Sequence, residues 1–241
     1  MNNNGMGKAE RFIDLYNEFD GLIRKMGNFK KDDKFLEIIR KIPSLRRNYT
    51  GIKCFHEVRC LLVHNVRISE QYPVIPTDET MAFLQERIDE VKNRPRCYDI
   101  AVKKEDIFSA EMEDSVRQTV DAMRKKSFSH VPVMKDGRVV AVLSEHSIFN
   151  YVADEGIVDI DDKLIIQDLY SKNYLSLDRA DVEVFCFQSS SSYVDDLLEV
   201  FEEAFEEGNR VGMVFLTQNG CRSEKLMGIL TPWDVLAKSK K

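Results

Sequence analysis

A stretch in the middle of the chain recurs near its carboxyl end. Residues 129–150 hold two apolar runs around a turn glycine, Gly137, and residues 212–236 repeat this order around Gly220. Two copies of one small unit predict a pseudo-symmetric pair. Such a pair has a seam between its halves, and small ligands bind preferentially at seams of this kind.

The two copies differ at the positions where ligand chemistry is expected. When Gly137 is aligned with Gly220, His130 falls on Met213. The other aligned pairs, which require four additional residues after Gly220, are Ala141 with Gly228, Ser144 with Thr231 and Ser147 with Asp234. Only the second copy therefore follows its hydroxyl with a carboxylate three residues later.

Composition indicates a globular protein in a reducing environment. The 241 residues suffice for one large domain or two modest ones, and 43% of them are apolar. Five cysteines form no C-x-x-C pair, which favours a cytoplasmic location. We recognise no signal peptide and no apolar run long enough to span a bilayer, so we expect no membrane partner.

Charge is distributed unevenly along the chain. Residues 1–98 carry 18 Lys and Arg against 14 Asp and Glu, whereas residues 99–241 carry 17 against 27. A mildly basic front and an acidic rear suggest two domains with different partners. The alternative is that both are ordinary solvated surfaces.

The front third has the spacing of α-helices. Phe12, Phe19 and Ile23 belong to an apolar stripe with intervals of three and four residues, and Pro43 and Pro95 stop helices. Residues 8–93 are therefore predicted to form a four-helix domain, preceded by a disordered segment at 1–7 and followed by a linker at 94–98. The predicted helices cover residues 8–26, 32–41, 51–69 and 77–92.

From residue 99 short strands and helices alternate. The order strand-helix-strand-strand-helix occurs twice, so the predicted fold class is α+β, with one β-α-β-β-α unit over residues 99–157 and another over 158–240. The strands are predicted at 128–134, 138–143, 210–217 and 226–230, and the helices at 115–126, 145–153, 192–207 and from residue 232 onward.

This duplicated pattern resembles a tandem pair of CBS domains (the cystathionine β-synthase type) over residues 99–240. Gly228-Ile-Leu-Thr231-Pro-Trp-Asp234 fits every marked position of the Gly-apolar-apolar-Thr/Ser-x-x-Asp signature. The first copy supplies Ser129, Pro132 and Ser144 of the pattern but has Ala141 for the glycine and Ser147 for the aspartate. The resemblance implies a sensor of AMP, ADP, ATP, S-adenosylmethionine or sometimes a dinucleotide. We expect no metal.

The crossed arrangement of such pairs implies a site made from both copies. Thr231 and Asp234 would face Phe128, Ser129 and His130. A Thr hydroxyl at a strand end can hold a phosphate or ribose oxygen, and an Asp one turn later can accept from the ribose hydroxyls. His130 either contacts adenine or packs at the strand end. Alternatively, Thr231 and Asp234 simply cap the last helix.

A mirror cleft is expected to be weak or empty. It would be formed by Ser144 and Ser147 with Gly212 and Met213, and it lacks the aspartate that accepts from ribose. Lys126 and Arg210 are candidate phosphate partners that the sequence does not assign to either cleft.

The helical domain carries a second candidate site. Arg59-Cys60-Leu-Leu-Val-His64 resembles the Arg-x(4–6)-His motif of HEPN domains, helical dimers that cut RNA without metal. His64 would transfer a proton during attack by the ribose 2′-hydroxyl, and Arg59 would stabilise the charged phosphorane. Cys60 stands where such motifs usually have a small polar residue. Five positions are about 140° around a helix, so Arg59 and His64 are not expected on one face.

Together these features predict a cytoplasmic regulatory protein. A CBS pair binds an adenine nucleotide or S-adenosylmethionine and controls the HEPN-like domain or its partner, and the chain forms a homodimer. One alternative is a nucleotide-regulated ribonuclease that uses Arg59 and His64 and has RNA as its partner. Another is an interaction protein that binds no ligand. No Walker loop, G-x-S-x-G or H-E-x-x-H motif is present, and the crowding of Cys54, His56, Cys60 and His64 on one helix does not form a tetrahedral metal site.

Overall fold

The structure, a computed structural model, describes residues 3–27, 29–64, 67, 71–156, 160–177 and 183–238. The chain divides into two compact units, Met1–Arg94 and Pro95–Lys241. The secondary structure of the described part of the first unit is helical, whereas the second unit combines helices with two β-sheets.

The first unit contains five helices in its described residues. They are α1 (Asn3–Met26), α2 (Phe35–Lys41), α3 (Pro43–Arg46), α4 (Tyr49–His64) and α5 (Asp78–Lys92). The sequence missed the single turn of α3, which begins at the proline expected only to stop α2. A proline fits the first turn of a helix because the amide that it lacks has no partner there.

Two helix ends differ from the prediction. Helix α1 begins at Asn3, inside the segment predicted to be disordered, because an established helix extends by one hydrogen bond per residue even through Gly5 and Gly7. Helix α4 ends at His64, whereas the sequence predicted a helix to residue 69; residues 65, 66 and 68–70 lie outside the described part of the chain.

The helices bury the apolar stripes that the sequence shows. Phe12, Phe19 and Ile23 of α1 are fully buried, as are Ile52 of α4 and Leu84 of α5. The start of α5 is fixed as predicted, since the Thr77 hydroxyl accepts a hydrogen bond from the Thr80 amide at 3.2 Å.

The second unit alternates short helices and strands. In chain order its elements are α6 (Cys97–Ile100), β1 (Val102–Lys103), a 3-10 turn (Lys104–Asp106), β2 (Ala110–Glu111), α7 (Val116–Lys126), β3 (His130–Lys135), β4 (Arg138–Ser144), α8 (Glu145–Glu155), α9 (Ile166–Ser171), β5 (Glu183–Ser189), α10 (Val194–Glu206), β6 (Arg210–Thr217), β7 (Gly228–Leu230) and α11 (Pro232–Lys238).

Each copy of the repeat forms its own sheet. Strands β2-β3-β4 make the first sheet and β1-β7-β6-β5 the second. In both sheets the strand before the long helix pairs in parallel with the strand after it, and the next pair is antiparallel. The sequence predicted a first strand in each copy without bounds, and in the structure these strands are β2 and β5, the latter within the apolar run Val184–Phe187.

The two copies exchange their opening segments. Backbone bonds join Cys97 to Ser192 at 2.8 Å, so α6 docks beside the start of α10 in the second copy. Equivalent bonds join Val116 to Leu164 at 2.9 Å, so α9 docks beside the start of α7 in the first copy. Residues 94–98, predicted as a linker, thus include the fully buried Cys97 in the core of the second copy.

Gly228 allows strand β1 to join the second sheet. A methyl group at this position would lie 3.0 Å from the carbonyl oxygen of Val102 and 3.2 Å from Cβ of Ala101. The aligned Ala141 is fully buried in β4, and no fourth strand lies beside β4 among the described residues. Close packing of β1 against β7 therefore explains why the second copy has glycine at this position. Among the described residues no strand packs against β4 in this way, which explains why the first copy can have Ala141 there.

Apolar side chains from both sheets fill the seam between the copies. Val139 and Val142 of β4 pack with Met213 and Phe215 of β6, all nearly or fully buried. A backbone bond of 2.9 Å from Leu226 to the carbonyl of Gly137 also crosses between the copies. The seam is thus a continuous core rather than an open groove, and a ligand has access only where that core ends.

Candidate functional site

A cleft of about 350 Å³ opens where residues of both copies meet. Its first wall comes from the segments before and after α7, including Asp106, Ile107 and Phe108. The opposite wall comes from β6, β7 and the start of α11, including Met213 and Trp233. Its volume is at the lower end of the range, about 300–1,000 Å³, that is typical of small-molecule sites.

All five residues selected from the sequence as the binding set line this cleft. They are Phe128, Ser129 and His130 from the first copy and Thr231 and Asp234 from the second. About a hundred residues separate the two groups in the chain. The fold brings them together because α7 ends and β3 begins at the edge of the seam beside the start of α11.

Thr231 and Asp234 form a closed local pair at the start of α11. The Thr231 hydroxyl and amide both donate to Oδ2 of Asp234, each at 2.7 Å. The Asp234 carboxylate thus reaches back to the amide that precedes α11, which is one half of a capping box, and Oδ1 of Asp234 lies outside both bonds. Since the hydroxyl proton of Thr231 is directed to Asp234, the Thr231 oxygen presents acceptor lone pairs to the cleft.

Aromatic rings form the apolar part of the cleft. Ser127 adopts a left-handed conformation (φ 56°) that ends α7 and turns Phe128 toward Phe108, with ring centroids 6.3 Å apart. Lys126 Nζ lies over these rings, 5.6 Å from the centroid of Phe108 and 6.0 Å from that of Phe128. Trp233 lines the other wall and is 80% exposed, which leaves its surface available to a planar ligand.

His130 takes part in a polar chain across the seam. Its Nε2 lies 2.9 Å from Oε2 of Glu183, and its Nδ1 lies 2.8 Å from the Ser129 hydroxyl. Because a carboxylate only accepts, Nε2 donates, and in the neutral ring Nδ1 accepts from Ser129. The sequence expected either an adenine contact or simple packing; in the structure both ring nitrogens of His130 are already engaged.

Glu183 is the residue that the sequence analysis missed. It is 7% exposed, and its second oxygen, Oε1, accepts from Nε of Arg210 at 3.2 Å. Arg210 had been considered as a phosphate partner, and here it pairs with this carboxylate. A methyl group on Gly212 would approach the Glu183 side chain to 2.8 Å, so only glycine leaves room for it. A buried Glu is not predictable from pattern, although a glycine within an apolar strand does indicate a close neighbour.

Two opposing effects act on the Glu183 carboxyl. Burial raises its pKa, whereas the hydrogen bond from His130 and the charges of His130, Arg210 and His146 lower it. The lowering effects prevail, so the pKa of Glu183 lies below its ordinary value of 4.5. The group therefore remains a carboxylate at neutral pH, as its pairing with His130 and Arg210 requires.

At the mirror position the two serines bond to each other. Ser144 and Ser147 exchange bonds between side chain and backbone at 2.9 and 3.1 Å, and the Ser147 hydroxyl donates to the Ser144 carbonyl at 2.8 Å. Both serines are buried. A second cleft, of about 370 Å³, lies elsewhere along α9 and includes Gln167, Tyr170 and Arg222 but none of the four residues predicted for the mirror cleft.

In the helical unit, Arg59 and His64 lie together. Nη1 of Arg59 is 3.1 Å from Nε2 of His64, although their helical spacing argued against a shared face. The long Arg side chain spans the difference because His64 is the last residue of α4. The Arg59 guanidinium lies 5.9 Å from the centre of the Tyr16 ring, and its buried Nε has no hydrogen-bond partner among the described residues.

Next to Arg59 the buried Tyr16 pairs with the partly buried His56. The Tyr16 hydroxyl lies 2.7 Å from Nδ1 of His56, whose ring stacks on Phe35 at 5.6 Å. Burial, followed by the charge of Arg59, lowers the pKa of His56, and burial raises the pKa of Tyr16. The His56 ring also approaches Cys60 at 3.7 Å, but across the described residues no group of three or more His, Cys, Asp and Glu could hold a metal.

Comparison with known proteins identifies part of the second unit. Residues 98–154 match the CBS domain family, so the chain contains a CBS domain. The structure is similar to CBSX2 from Arabidopsis thaliana (18% identity, 61% of this chain and 96% of that chain, TM-score 0.42). It is also similar to CBSX2 in complex with AMP (17%, 61% and 97%, 0.44) and to CbpB in complex with c-di-AMP (12%, 63% and 89%, 0.45). Similarity at this level concerns the fold alone.

A comparison with curated protein sequences gave no match. Of the helices that the structure describes, none combines the length and the apolar character needed to cross a bilayer.

Proposed function

We propose that the second unit is a regulatory module that binds an adenosine-containing ligand in the cleft of Phe128, Ser129, His130, Thr231 and Asp234. The observation that carries this proposal is that these five residues, chosen from two distant parts of the sequence, line one cleft of about 350 Å³. The helical unit, or a partner that it binds, would be the regulated element.

The chemistry of the cleft suits a nucleoside. Oδ1 of Asp234 and the hydroxyl oxygen of Thr231 are acceptors, and the ribose 2′- and 3′-hydroxyls are donors. A charge-assisted bond to Asp234 is the stronger of these interactions. The rings of Phe128 and Trp233 offer faces on which a purine can stack.

Regulation follows from the origin of the two walls. Phe128 and Ser129 belong to the first copy and Thr231 and Asp234 to the second, so a bound ligand contacts both copies at once. A ligand shifts a conformational balance only by its different affinities for two arrangements. Any change in the separation or angle of the copies alters these contacts, and the ligand therefore favours one arrangement.

A thermal-shift and fluorescence titration with adenosine, AMP, ADP, ATP and S-adenosylmethionine tests the proposal. A ligand at a hundred times its dissociation constant should raise stability by about 2.7 kcal/mol. Trp233 is the only tryptophan of the chain and lines the cleft, so its emission should change on binding. No response to any of these compounds would refute ligand binding and favour an interaction protein.

Asp234→Asn is the sharpest variant, because the amide oxygen can still accept from Thr231 while the negative charge is lost. It should weaken ligand binding at least tenfold. Asp196→Asn is the matched control: Asp196 accepts from the Tyr193 amide at 2.9 Å as the cap of α10 and does not line the cleft. An equal loss of binding in both variants would attribute the effect to stability rather than to ligand contact.

A second candidate function is cleavage of RNA by the helical unit. It is favoured by the distance of 3.1 Å between Arg59 and His64. In this scheme the lone pair of His64 Nε2, which faces Arg59 in the structure, is released to accept the proton of the ribose 2′-hydroxyl, and Arg59 turns to stabilise the negative charge that develops on phosphorus oxygens. The same contact is also that of a merely structural pair, and HEPN-like identity, RNA binding and homodimer formation stay predictions.

RNA cleavage should be lost in His64→Ala while far-ultraviolet circular dichroism is unchanged. Lys53→Ala on the same helix is a suitable control, since Lys53 is exposed and pairs only loosely with Glu57 at 3.5 Å. Cleavage by His64→Ala at the rate of the unaltered protein would exclude this function.

A further inference from the structure

The backbone amides around the cleft are largely engaged within the protein. The amides of Ser127 and Phe128 donate to carbonyls in the last turns of α7, at 3.4 and 2.9 Å. The amide of Thr231 donates to the Asp234 carboxylate at 2.7 Å, and that of Asp234 to the Thr231 carbonyl at 3.1 Å. These four groups cannot also serve a ligand without giving up bonds that they already make.

Apart from the Ser127 hydroxyl and the indole N–H of Trp233, the polar side chains of the cleft offer mainly acceptors. The hydroxyl proton of Thr231 is directed to Asp234, and the Ser129 hydroxyl and Nδ1 of His130 bond to each other at 2.8 Å. Nε2 of His130 donates to Glu183 at 2.9 Å. A phosphate group requires several donors, whereas ribose hydroxyls, the adenine amino group and a cation require acceptors.

Charge points in the same direction. Two lining residues are carboxylates, Asp106 and Asp234, and no lysine or arginine occurs among the described residues that line the cleft. Lys126 lies on the rings of Phe108 and Phe128, within 6.0 Å of each centroid, but does not line the cleft itself. A nucleotide phosphate placed here would meet negative charge on two sides.

We propose that this cleft selects adenosine ligands whose 5′ substituent is uncharged or cationic, such as a hydroxyl, a thioether or a sulfonium, over nucleotides that carry phosphates. The inference rests on the proposed adenosine-binding function and narrows its ligand class. The acceptors hold the ribose, the aromatic rings hold the base, and the carboxylates repel a phosphate and attract a sulfonium.

The test is a calorimetric titration of the full chain with adenosine, 5′-methylthioadenosine, S-adenosylmethionine, AMP and ATP. The first three should bind, and AMP and ATP should bind more weakly by about fivefold or more for each added charge at low salt. Binding of AMP or ATP at least as tight as that of adenosine would overturn this selectivity while the proposed function stands. Absence of binding by all five compounds would overturn both.

Two variants show whether the carboxylates are responsible. Asp106→Asn should narrow the preference for adenosine over AMP severalfold, whereas Asp121→Asn, an exposed change on α7 away from the cleft lining, should leave it as it was. Lys126→Gln should change AMP binding less than about twofold. A loss of AMP affinity above tenfold in Lys126→Gln, with adenosine unaffected, would identify Lys126 as a phosphate partner and contradict the proposal.

Discussion

The two pseudo-symmetric positions of the second unit use equivalent residues in opposite ways. At one, Thr231 and Asp234 cap a helix beside an open cleft, and one carboxylate oxygen lies outside the capping bonds. At the other, Ser144 and Ser147 cap a helix with no oxygen left over, and both side chains are buried. The comparison indicates that a capping pair can also bind a ligand only when its carboxylate has one oxygen outside the capping bonds, as Asp234 does.

Glu183 sharpens this contrast. Its carboxylate pairs with His130 and Arg210 and contacts Gly212, one of the residues predicted to line the mirror cleft. His130 of the first copy both pairs with Glu183 and lines the open cleft, so one side chain connects the Glu183 pairing with the candidate binding site.

Glu183→Ala is expected to have one of the two largest effects. It removes the buried carboxylate that pairs with the half-buried His130 and the exposed Arg210, and it should destabilise the second unit by about 2 kcal/mol. Urea unfolding followed by the emission of Trp233 measures this unit. Glu155→Ala, which removes an exposed pair with Lys172, should leave the midpoint almost unchanged. Equal urea midpoints for the two variants would show that the Glu183 pairing does not stabilise the second unit.

The glycine of the signature should matter in only one copy. Gly228→Ala places a methyl group 3.0 Å from the Val102 carbonyl and should destabilise the second unit by about 2 kcal/mol through displacement of β1. The reciprocal change, Ala141→Gly, introduces the family residue yet should cost about 1 kcal/mol, since it loosens a buried strand. Stabilisation by Ala141→Gly in the same urea experiment would contradict the proposed origin of the difference.

The smallest effect is a change in acid stability. Because the pKa of Glu183 in the folded chain is below its ordinary value of 4.5, this group contributes stability that is complete above that pH and is lost as the pH falls through the lowered pKa. Glu183→Gln should therefore unfold with a shallower dependence on pH below about 4.5 than the unaltered chain. Parallel acid profiles for the two proteins would show that this pairing is not linked to folding.

Sequence patterns predicted well the helices and strands that are determined by local signals, namely caps, turns and apolar spacing. Helix α7 has its Ser115 cap and apolar spacing, and strand β6 lies within one apolar run, so both agree with the prediction within two residues. The cleft residues were also available from the sequence, because the repeat and its signature identify Thr231 and Asp234. Whether they hold a ligand stays a prediction.

What the sequence did not predict depends on contacts between distant segments. Strand β1 has two residues and is defined only by pairing with β7, and α6 has one turn that is buried only by the second copy. No residue near Glu183 in the sequence indicates that it is buried and paired, because its partners His130 and Arg210 are distant along the chain. Arg59 and His64 are in contact because the long Arg59 side chain reaches around the helix, whereas the backbone positions alone place the two residues on different faces.

The exchange of opening segments between the copies also bears on synthesis of the chain. Arg96 pairs with Tyr193, and Cys97 bonds to Ser192, so the first turn of the module stays unpaired until almost a hundred further residues have left the ribosome. Neither half can complete its own hydrogen bonding when expressed alone. During synthesis the first half therefore exposes apolar surface that is buried in the folded protein, until the second half has been made.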